Sequence, residues 1–260
     1  MKRRQLIRYG GSGLAMAIAS ASLPRRSSLA QTESSSESLS IQYLGHTCFL
    51  FTGSGLNVLV NPYESAGCTA GYTLPDIRPD VLLTSSFLLD EGAIDVVAGD
   101  PEVFSDRGYH TVKGVKFQGF SLPHDREGGR RFGQNIAWRW TQGGVDILHL
   151  GGAAAPMATE SKILLGGADI MLTPVGGGMK AYNPEEAKQA IKILNPKMVI
   201  PTHYRTSASN KDNCDLATVE EFLTLVPDLE TAQVNSDRLT LKKSDLNRDN
   251  TFVRVLEYTS

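Results

Sequence analysis

The chain has 260 residues, a formal net charge of −2 and 41% hydrophobic residues. This length fits one large α/β domain or two small ones, and the apolar content is that of a globular protein with its own core. Acidic and basic residues are mixed along the chain, which argues against nucleic acid as a partner, since such surfaces carry a basic patch or stripe. Three cysteines, Cys48, Cys68 and Cys214, allow at most one disulfide and are too scattered for a CxxC zinc site.

The first 30 residues have the three-part layout of a secretory signal peptide. Residues 2–4 (KRR) are basic, residues 9–23 form a modestly apolar run, and residues 28–30 (SLA) are suited to a signal peptidase. The run is too short and weak for a transmembrane helix, which needs about 20 apolar residues. The Arg3-Arg4 pair and the residues after it resemble a twin-arginine signal, an address read by a receptor.

We therefore expect the twin-arginine translocase as a partner in transit and an extracytoplasmic location. The expected compartment is the periplasm, or the thylakoid lumen if the source is photosynthetic. The alternative is a basic N-terminus with a chance Arg-Arg pair. Residues 31–38 (QTESSSES) are polar and of low complexity, so they predict a flexible linker before a folded domain at residues 39–260.

Short strand-like runs separated by glycine-containing turns dominate the first two-thirds of this domain. We predict strands at 41–44, 48–52, 56–60 and 81–83, and hairpins within 111–122 and 135–150. Trp138 and Trp140 alternate with Arg139, so both are expected on one sheet face, in the core.

Strands and helices alternate in the last third. A strand at 168–174 ends in the glycine-rich loop 176–178, which favours a tight turn over a phosphate site. A helix follows to Leu194, with Asn183 as its cap, Pro184 in its first turn and acids after it. A strand at 198–200, a helix at 215–225 and strands at 238–242 and 252–258 complete a pattern of sheets with helices packed outside.

Four segments resemble the metallo-β-lactamase superfamily, especially its small Zn-dependent hydrolase branches related to the ascorbate-phosphate lactonases. They are residues 43–50 (YLGHTCFL), 58–62 (VLVNP), 174–187 (from PVGG to PEEA) and 201–204 (PTHY). The resemblance implies an α/β fold, the αββα sandwich, with a site at the strand ends between the sheets. It also implies a zinc-dependent hydrolase, in which five histidines and two aspartates hold two zinc ions.

Most of these implied zinc ligands are replaced in this chain. The family's His-x-His-x-Asp-His group falls on Ser85, Phe87, Leu89 and Asp90. Among these only Asp90 could bind a metal well, because phenylalanine and leucine have no donor atom. The bridging aspartate falls on glycine within residues 148–152 (LHLGG), and only His124 and His203 agree with the family pattern as metal ligands.

The remaining candidates for one pocket are His46, Asp90, His124, His149 and His203. The first hypothesis is an exported, non-catalytic protein without a cofactor, with a role in binding or assembly. The second is a metal-dependent hydrolase of a lactone, ester or phosphoester, with one zinc in a remodelled site that includes Asp90 or Asp125, since three ligands and water suffice. The third is a structural partner of a membrane or photosynthetic complex. The sequence identifies no small-molecule or protein partner.

Two further clusters allow alternative interpretations. Arg126, Arg130 and Arg131 beside His124 could form an anion-binding rim or a solvated charged loop. Ser85 and Ser86 could suggest a nucleophile, but no G-x-S-x-G elbow surrounds them.

Overall fold

The computed structural model describes residues 38–209 and 214–259. The predicted signal peptide and nearly all of the predicted linker lie outside these residues. The first strand already includes Ser38, which pairs with Lys242. Strand β1 therefore includes the last residue of the predicted linker, because a partner strand is available to that backbone.

The strands form two sheets. In chain order they are β1 Ser38–Gly45, β2 Cys48–Gly53, β3 Leu56–Val60, β4 Val81–Leu83, β5 Glu102–Phe104, β6 Gly108–Val112, β7 Val115–Pro123, β8 Gln134–Gln142, β9 Val145–His149, β10 Ile170–Pro174, β11 Met198–Thr202, β12 Glu230–Gln233, β13 Arg238–Lys242 and β14 Phe252–Val255. Sheet 1 has the order β13-β1-β2-β3-β4-β5 and sheet 2 the order β12-β14-β11-β10-β9-β8-β7-β6.

Strand direction brings several loops together at one edge of sheet 2. β1 to β3 form an antiparallel meander, and β4 and β5 then continue sheet 1 in parallel. In sheet 2, β9, β10 and β11 are parallel neighbours. Because parallel strands end at the same edge, the segments after β9, β10 and β11 lie side by side there.

The main core lies between the sheets. It contains both tryptophans, as predicted, together with alternate apolar residues of β1, β2, β3 and β10. The indole of Trp138 donates to the Thr84 carbonyl oxygen at 3.0 Å, which satisfies its buried N–H group. This bond also links sheet 2 to the start of the loop that contains Asp90.

The helices pack on the outer face of sheet 2. They are α1 Ser161–Leu165, α2 Pro184–Leu194 and α3 Val219–Leu225. The Asn183 side chain accepts from the Glu186 N–H group, and Glu186 accepts in return from the Asn183 N–H group. This capping box is the reason α2 begins where the sequence predicts. The predicted 215–225 helix starts only at Val219, because the Ala217 N–H group is bonded to the Gly176 carbonyl oxygen and Thr218 forms the cap.

The outer face of sheet 1 is covered by irregular chain rather than by α-helices among the described residues. Tyr63 and Tyr72 pack there against Leu44, Leu59 and Leu82. The two-sheet α/β architecture is therefore as predicted, while this outer layer of the expected αββα sandwich is built from loops and short 3₁₀ turns, Gly67–Thr69 and Ile94–Val96.

The elements absent from the prediction are short or lie at edges. β5 and β12 are three- and four-residue edge strands, and α1 is a five-residue helix. The predicted 252–258 strand ends at Val255, where pairing with β12 stops. No helix in the described part of the chain is long and apolar enough to cross a membrane.

Candidate functional site

Three of the predicted pocket residues come together at the shared strand edge. His46 lies in the turn between β1 and β2, Asp90 in the loop after β4, and His203 directly after β11. One side-chain donor atom of each lies within 4.8 Å of the others. Two imidazole nitrogens and one carboxylate oxygen are donors that a divalent transition metal such as zinc prefers.

The backbone holds the two imidazoles against each other. His46 and His203 both have positive φ, 55° and 51°, a region that non-glycine residues seldom occupy. The His203 N–H group donates to the His46 carbonyl oxygen at 3.0 Å, and the ring centroids are 4.0 Å apart. Two strained residues joined by a hydrogen bond are a pattern that clusters at functional sites.

Several donor atoms of this group have no hydrogen-bond partner within the described chain. They are Nδ1 and Nε2 of His46, Oδ1 of Asp90 and Nδ1 of His203, all buried. His46 Nε2 and Asp90 Oδ2 are 3.5 Å apart, an ion-pair distance. Leaving a buried polar atom unsatisfied costs about 1–3 kcal/mol. Donor atoms so arranged fit a cation.

Charge at the site is balanced by Lys180, whose ammonium contacts Asp90 Oδ2. Burial raises the pKa of Asp90, but the interaction with His46 and the charge of Lys180 outweigh it, so the pKa lies well below its usual range. Burial, reinforced by the neighbouring His46, lowers the pKa of His203 well below its ordinary value. His203 is therefore neutral at pH 7, the form that can ligate a metal.

A cavity of about 470 Å³ opens over the three residues. His46, Asp90 and His203 form its polar part together with Lys180 and Asp215. Its other walls are apolar or backbone: Ala66, Gly67, Cys68, Leu88, Leu89, Phe132, Gly177, Gly178, Met179 and Leu216. A concave apolar space with few polar groups is typical of small-molecule sites.

The glycine-rich loop on one wall is held by Arg126. Its guanidinium binds the Glu186 carboxylate at 2.7 and 2.6 Å and donates to the Gly178 and Ala181 carbonyl oxygens. Arg126 thus supports the loop from outside and is not part of an anion-binding rim. A Cβ on Gly176 would lie 2.2 Å from the His203 carbonyl oxygen, so this close approach requires glycine.

His124 has a different partner, Glu91, a residue that the sequence pattern does not single out. His124 Nε2 and Glu91 Oε1 are 2.9 Å apart, and the Ser86 hydroxyl donates to the same oxygen at 2.7 Å. Both residues are buried, with 2% or less of their side chains exposed. Burial raises the pKa of Glu91, but the charge of His124 outweighs it and lowers the pKa. The pair is internal and has no place in the cavity wall.

Gly152 lies against this pair. A Cβ there would come within 2.4 Å of His124 Nε2 and within 2.9 Å of both Glu91 carboxylate oxygens. The resemblance sets the bridging aspartate at this glycine. The Glu91 carboxylate therefore occupies the space that a side chain at position 152 would need.

His149 and Asp125 have partners within the protein. His149 Nε2 donates to the Thr47 carbonyl oxygen at 3.1 Å, and Nδ1 accepts from the Gly151 N–H group at 3.0 Å. Burial lowers the pKa of His149 to about 4. Loss of solvent opposes ionisation of Asp125, but hydrogen bonds from four backbone N–H groups prevail and lower its pKa to about 2. Neither residue lines the cavity.

The structure also contains features without a clear sequence signal. A disulfide joins Cys68 to Cys214, which leaves Cys48 free and buried. Lys180 was overlooked, although it is the only charged residue in the loop 175–182. Glu91 was overlooked because the family pattern ends at Asp90. The signal in the sequence is the pair of adjacent acids, Asp90 and Glu91, inside an otherwise apolar run.

Known proteins resemble this chain in sequence and fold. Residues 40–203 match the family model described as the Beta-lactamase superfamily domain. A protein of Thermus thermophilus named UPF0173 metal-dependent hydrolase is 26% identical over 194 residues, covering 64% of this chain and 84% of the relative. A protein of the same name from Heliobacterium modesticaldum is 26% identical over 235 residues, covering 78% and 98%.

Solved structures agree with this relationship. A Thermotoga maritima protein, assigned to the Zn-dependent hydrolases of the metallo-beta-lactamase superfamily, superposes with a TM-score of 0.65 at 27% identity. The match covers 84% of this chain and 99% of that protein. A metallo hydrolase from Ignicoccus hospitalis shares the fold alone, with a TM-score of 0.58 at 17% identity, covering 86% and 97%.

Proposed function

Since this chain belongs to the metallo-β-lactamase superfamily, we propose that it is a metal-dependent hydrolase with one divalent ion held by His46, Asp90 and His203. The observation that carries the proposal is the group of two buried imidazoles and one partly buried carboxylate beside the cavity, with donor atoms that lack hydrogen-bond partners. Three protein ligands leave a zinc ion one open position, as in catalytic sites. The relatives named metal-dependent hydrolases support the same reaction class.

A single ion is proposed because the positions that hold the second ion in the family pattern carry other residues or have other contacts here. His124 is paired with Glu91, and Ser85, Phe87 and Leu89 stand where the resemblance implies ligands. Phe87 and Leu89 are exposed to solvent. No carboxylate at position 152 is available to bridge two ions.

The residues around the site have distinct roles in this proposal. A bound divalent ion would supply Lewis-acid polarisation of a substrate carbonyl. His203 offers a neutral ring nitrogen, and Asp90 offers the oxygen that Lys180 leaves unpaired. The Lys180 ammonium can donate to an anionic oxygen that develops beside the ion. The apolar walls offer no competing hydrogen bonds to these polar groups.

A second candidate is a non-catalytic binding protein, and Lys180 favours it. The ammonium of Lys180 already neutralises Asp90 without an ion, and Glu91 is already in contact with His124. The cavity would then bind a small molecule directly.

Export belongs to the proposal as well. The N-terminal segment has the layout of a twin-arginine signal, and the Cys68–Cys214 disulfide suits an oxidising compartment. Fractionation of the native cells, with sequencing of the mature N-terminus, tests this part. Protein confined to the cytoplasm with residue 1 or 2 at its terminus contradicts it.

Metal analysis separates the two candidates. Purified full-length protein incubated with zinc and desalted should retain about one equivalent, and chelation should lower its Tm because the ion binds only the folded state. His203→Ala and Asp90→Ala should lose the ion, while His110→Ala, an imidazole outside the cavity, should keep it. Lys180→Ala should bind zinc more tightly, since its ammonium competes for Asp90. Wild-type protein with no retained zinc and a Tm unchanged by chelator would leave the binding protein as the better account.

A further inference from the structure

We infer that the cavity selects neutral esters or lactones with an apolar acyl group, an inference that rests on the proposed function. The side chains facing the ligand space beyond the three candidate ligands are mainly Leu88, Leu89, Phe132, Met179 and Leu216. They offer no hydrogen bond to a polar substituent. An acyl chain entering there would lose contact with water and gain apolar contact.

Exposed apolar residues continue this surface out of the cavity. Leu89 is 56% exposed and Met179 is 53% exposed, and both line the cavity. Phe87, two residues before Leu89 on the same loop, is 70% exposed. Exposed apolar side chains beside a cleft are a feature of ligand-binding grooves. The loop that supplies metal ligands in the family pattern would here supply apolar contacts to the substrate.

The charges in the lining disfavour anionic substrates. Among the described lining residues the only lysine or arginine is Lys180, and its ammonium contacts Asp90. Asp215 adds a second carboxylate to the wall. A phosphoester would bring its negative charge beside the Asp215 carboxylate, and the two like charges would repel each other. This separates esters and lactones from the phosphoester alternative.

Two links hold the cavity walls in place. Arg126 holds the loop that contains Gly178 from behind. The Cys68–Cys214 disulfide joins the wall at Gly67 to the wall at Asp215. A cavity fixed in this way can select by shape, because its form does not depend on the ligand.

The reaction on such a substrate is hydrolysis and needs only water as the second reactant. Water adds through its oxygen to the acyl carbon, and the acyl C–O bond breaks. One proton of the water leaves to solvent and the other goes to the departing alkoxide. The products are a carboxylate and an alcohol, joined in one hydroxy acid when the substrate is a lactone.

Chain-length preference tests the inference on the zinc-loaded full-length protein. We expect kcat/KM for p-nitrophenyl octanoate to exceed that for the acetate by at least about tenfold, since each buried methylene contributes about threefold to fourfold. Turnover of p-nitrophenyl phosphate should be lower than that of either ester. Met179→Gln and Leu89→Gln should lower the octanoate-to-acetate ratio at least about threefold. Ile163→Gln, a change at an 85% exposed apolar residue outside the cavity, should leave it unchanged.

A binding measurement keeps this inference distinct from the proposed function. Octanamide is neutral and resists cleavage, so its affinity for chelator-treated protein can be measured by calorimetry. Binding that weakens in Met179→Gln, without cleavage of any ester, would support the apolar occupant and overturn the hydrolase. Absence of octanamide binding together with equal rates on acetate and octanoate would overturn the inference even if esters are cleaved. Faster cleavage of the phosphate than of the esters would also overturn it.

Discussion

Two consecutive acids, Asp90 and Glu91, contact histidines in environments that differ in access to solvent. Asp90 lies at the cavity with His46, His203 and Lys180. Glu91 lies in the interior against His124 and accepts a hydrogen bond from Ser86. The loop after β4 therefore places one carboxylate at the cavity and the next one in the protein interior.

This difference in solvent access indicates which of the two carboxylates, Asp90 or Glu91, can exchange its protein partner for a ligand. Glu91 and His124 are enclosed by protein, so removing one of them leaves a buried polar group without its partner. A carboxylate at a cavity wall can give up a lysine for a metal, because the lysine can return to water. We therefore expect Glu91 to matter for stability and Asp90 for ligand binding.

The largest predicted effect is at Glu91. Glu91→Ala leaves His124 without its partner and opens a void, so the free energy of unfolding should fall by about 3–5 kcal/mol. Denaturant unfolding followed by tryptophan fluorescence measures this. Glu102→Gln, at an exposed residue of β5, should change it by less than about 0.5 kcal/mol. A loss at Glu91 no larger than the control's would show that the buried pair is not structurally required.

Reduction of the disulfide, which lies beside the cavity, should cause the next largest loss of stability. Cys68 and Cys214 are separated by 146 residues in sequence, and losing a cross-link of this kind costs about 2–5 kcal/mol. Reduction should lower Tm in the wild type and equally in Cys48→Ala, whose substituted cysteine is not in the bridge. Denatured, unreduced protein should titrate with one free thiol. Three free thiols would contradict the pairing.

The smallest effect concerns pH and His149. Its pKa is lowered to about 4 in the folded protein, against about 6.5 in an unfolded chain. Between pH 6.5 and pH 4 the unfolded chain binds a proton at His149 and the folded protein does not. The stability that neutral His149 contributes is therefore complete above pH 6.5 and is lost as pH falls toward 4. His149→Gln should remove roughly 1–3 kcal/mol of this acid-dependent loss. The gap in Tm between wild type and variant should therefore narrow on going from pH 7 to 4.5, and a constant gap would refute the assignment.

The sequence by itself determined the features that depend on near neighbours in the chain. The start of α2 followed from Asn183, Pro184 and Glu186, because capping is complete within four residues. The strands β3, β4 and β13 matched the predicted runs at both ends. Short edge strands such as β5 and β12 escaped prediction, because their formation depends on a partner strand rather than on their own pattern.

Tertiary structure alone decided which polar residues meet. His46, Asp90 and His203 are far apart in the chain and converge where the β1–β2 turn, the loop after β4 and the residue after β11 meet. The contacts of His124 with Glu91 and of Asp90 with Lys180 depend on distances that no spacing in the chain encodes. Local conformational preference is contained in a few successive residues, whereas the partner of a buried charge is fixed by packing.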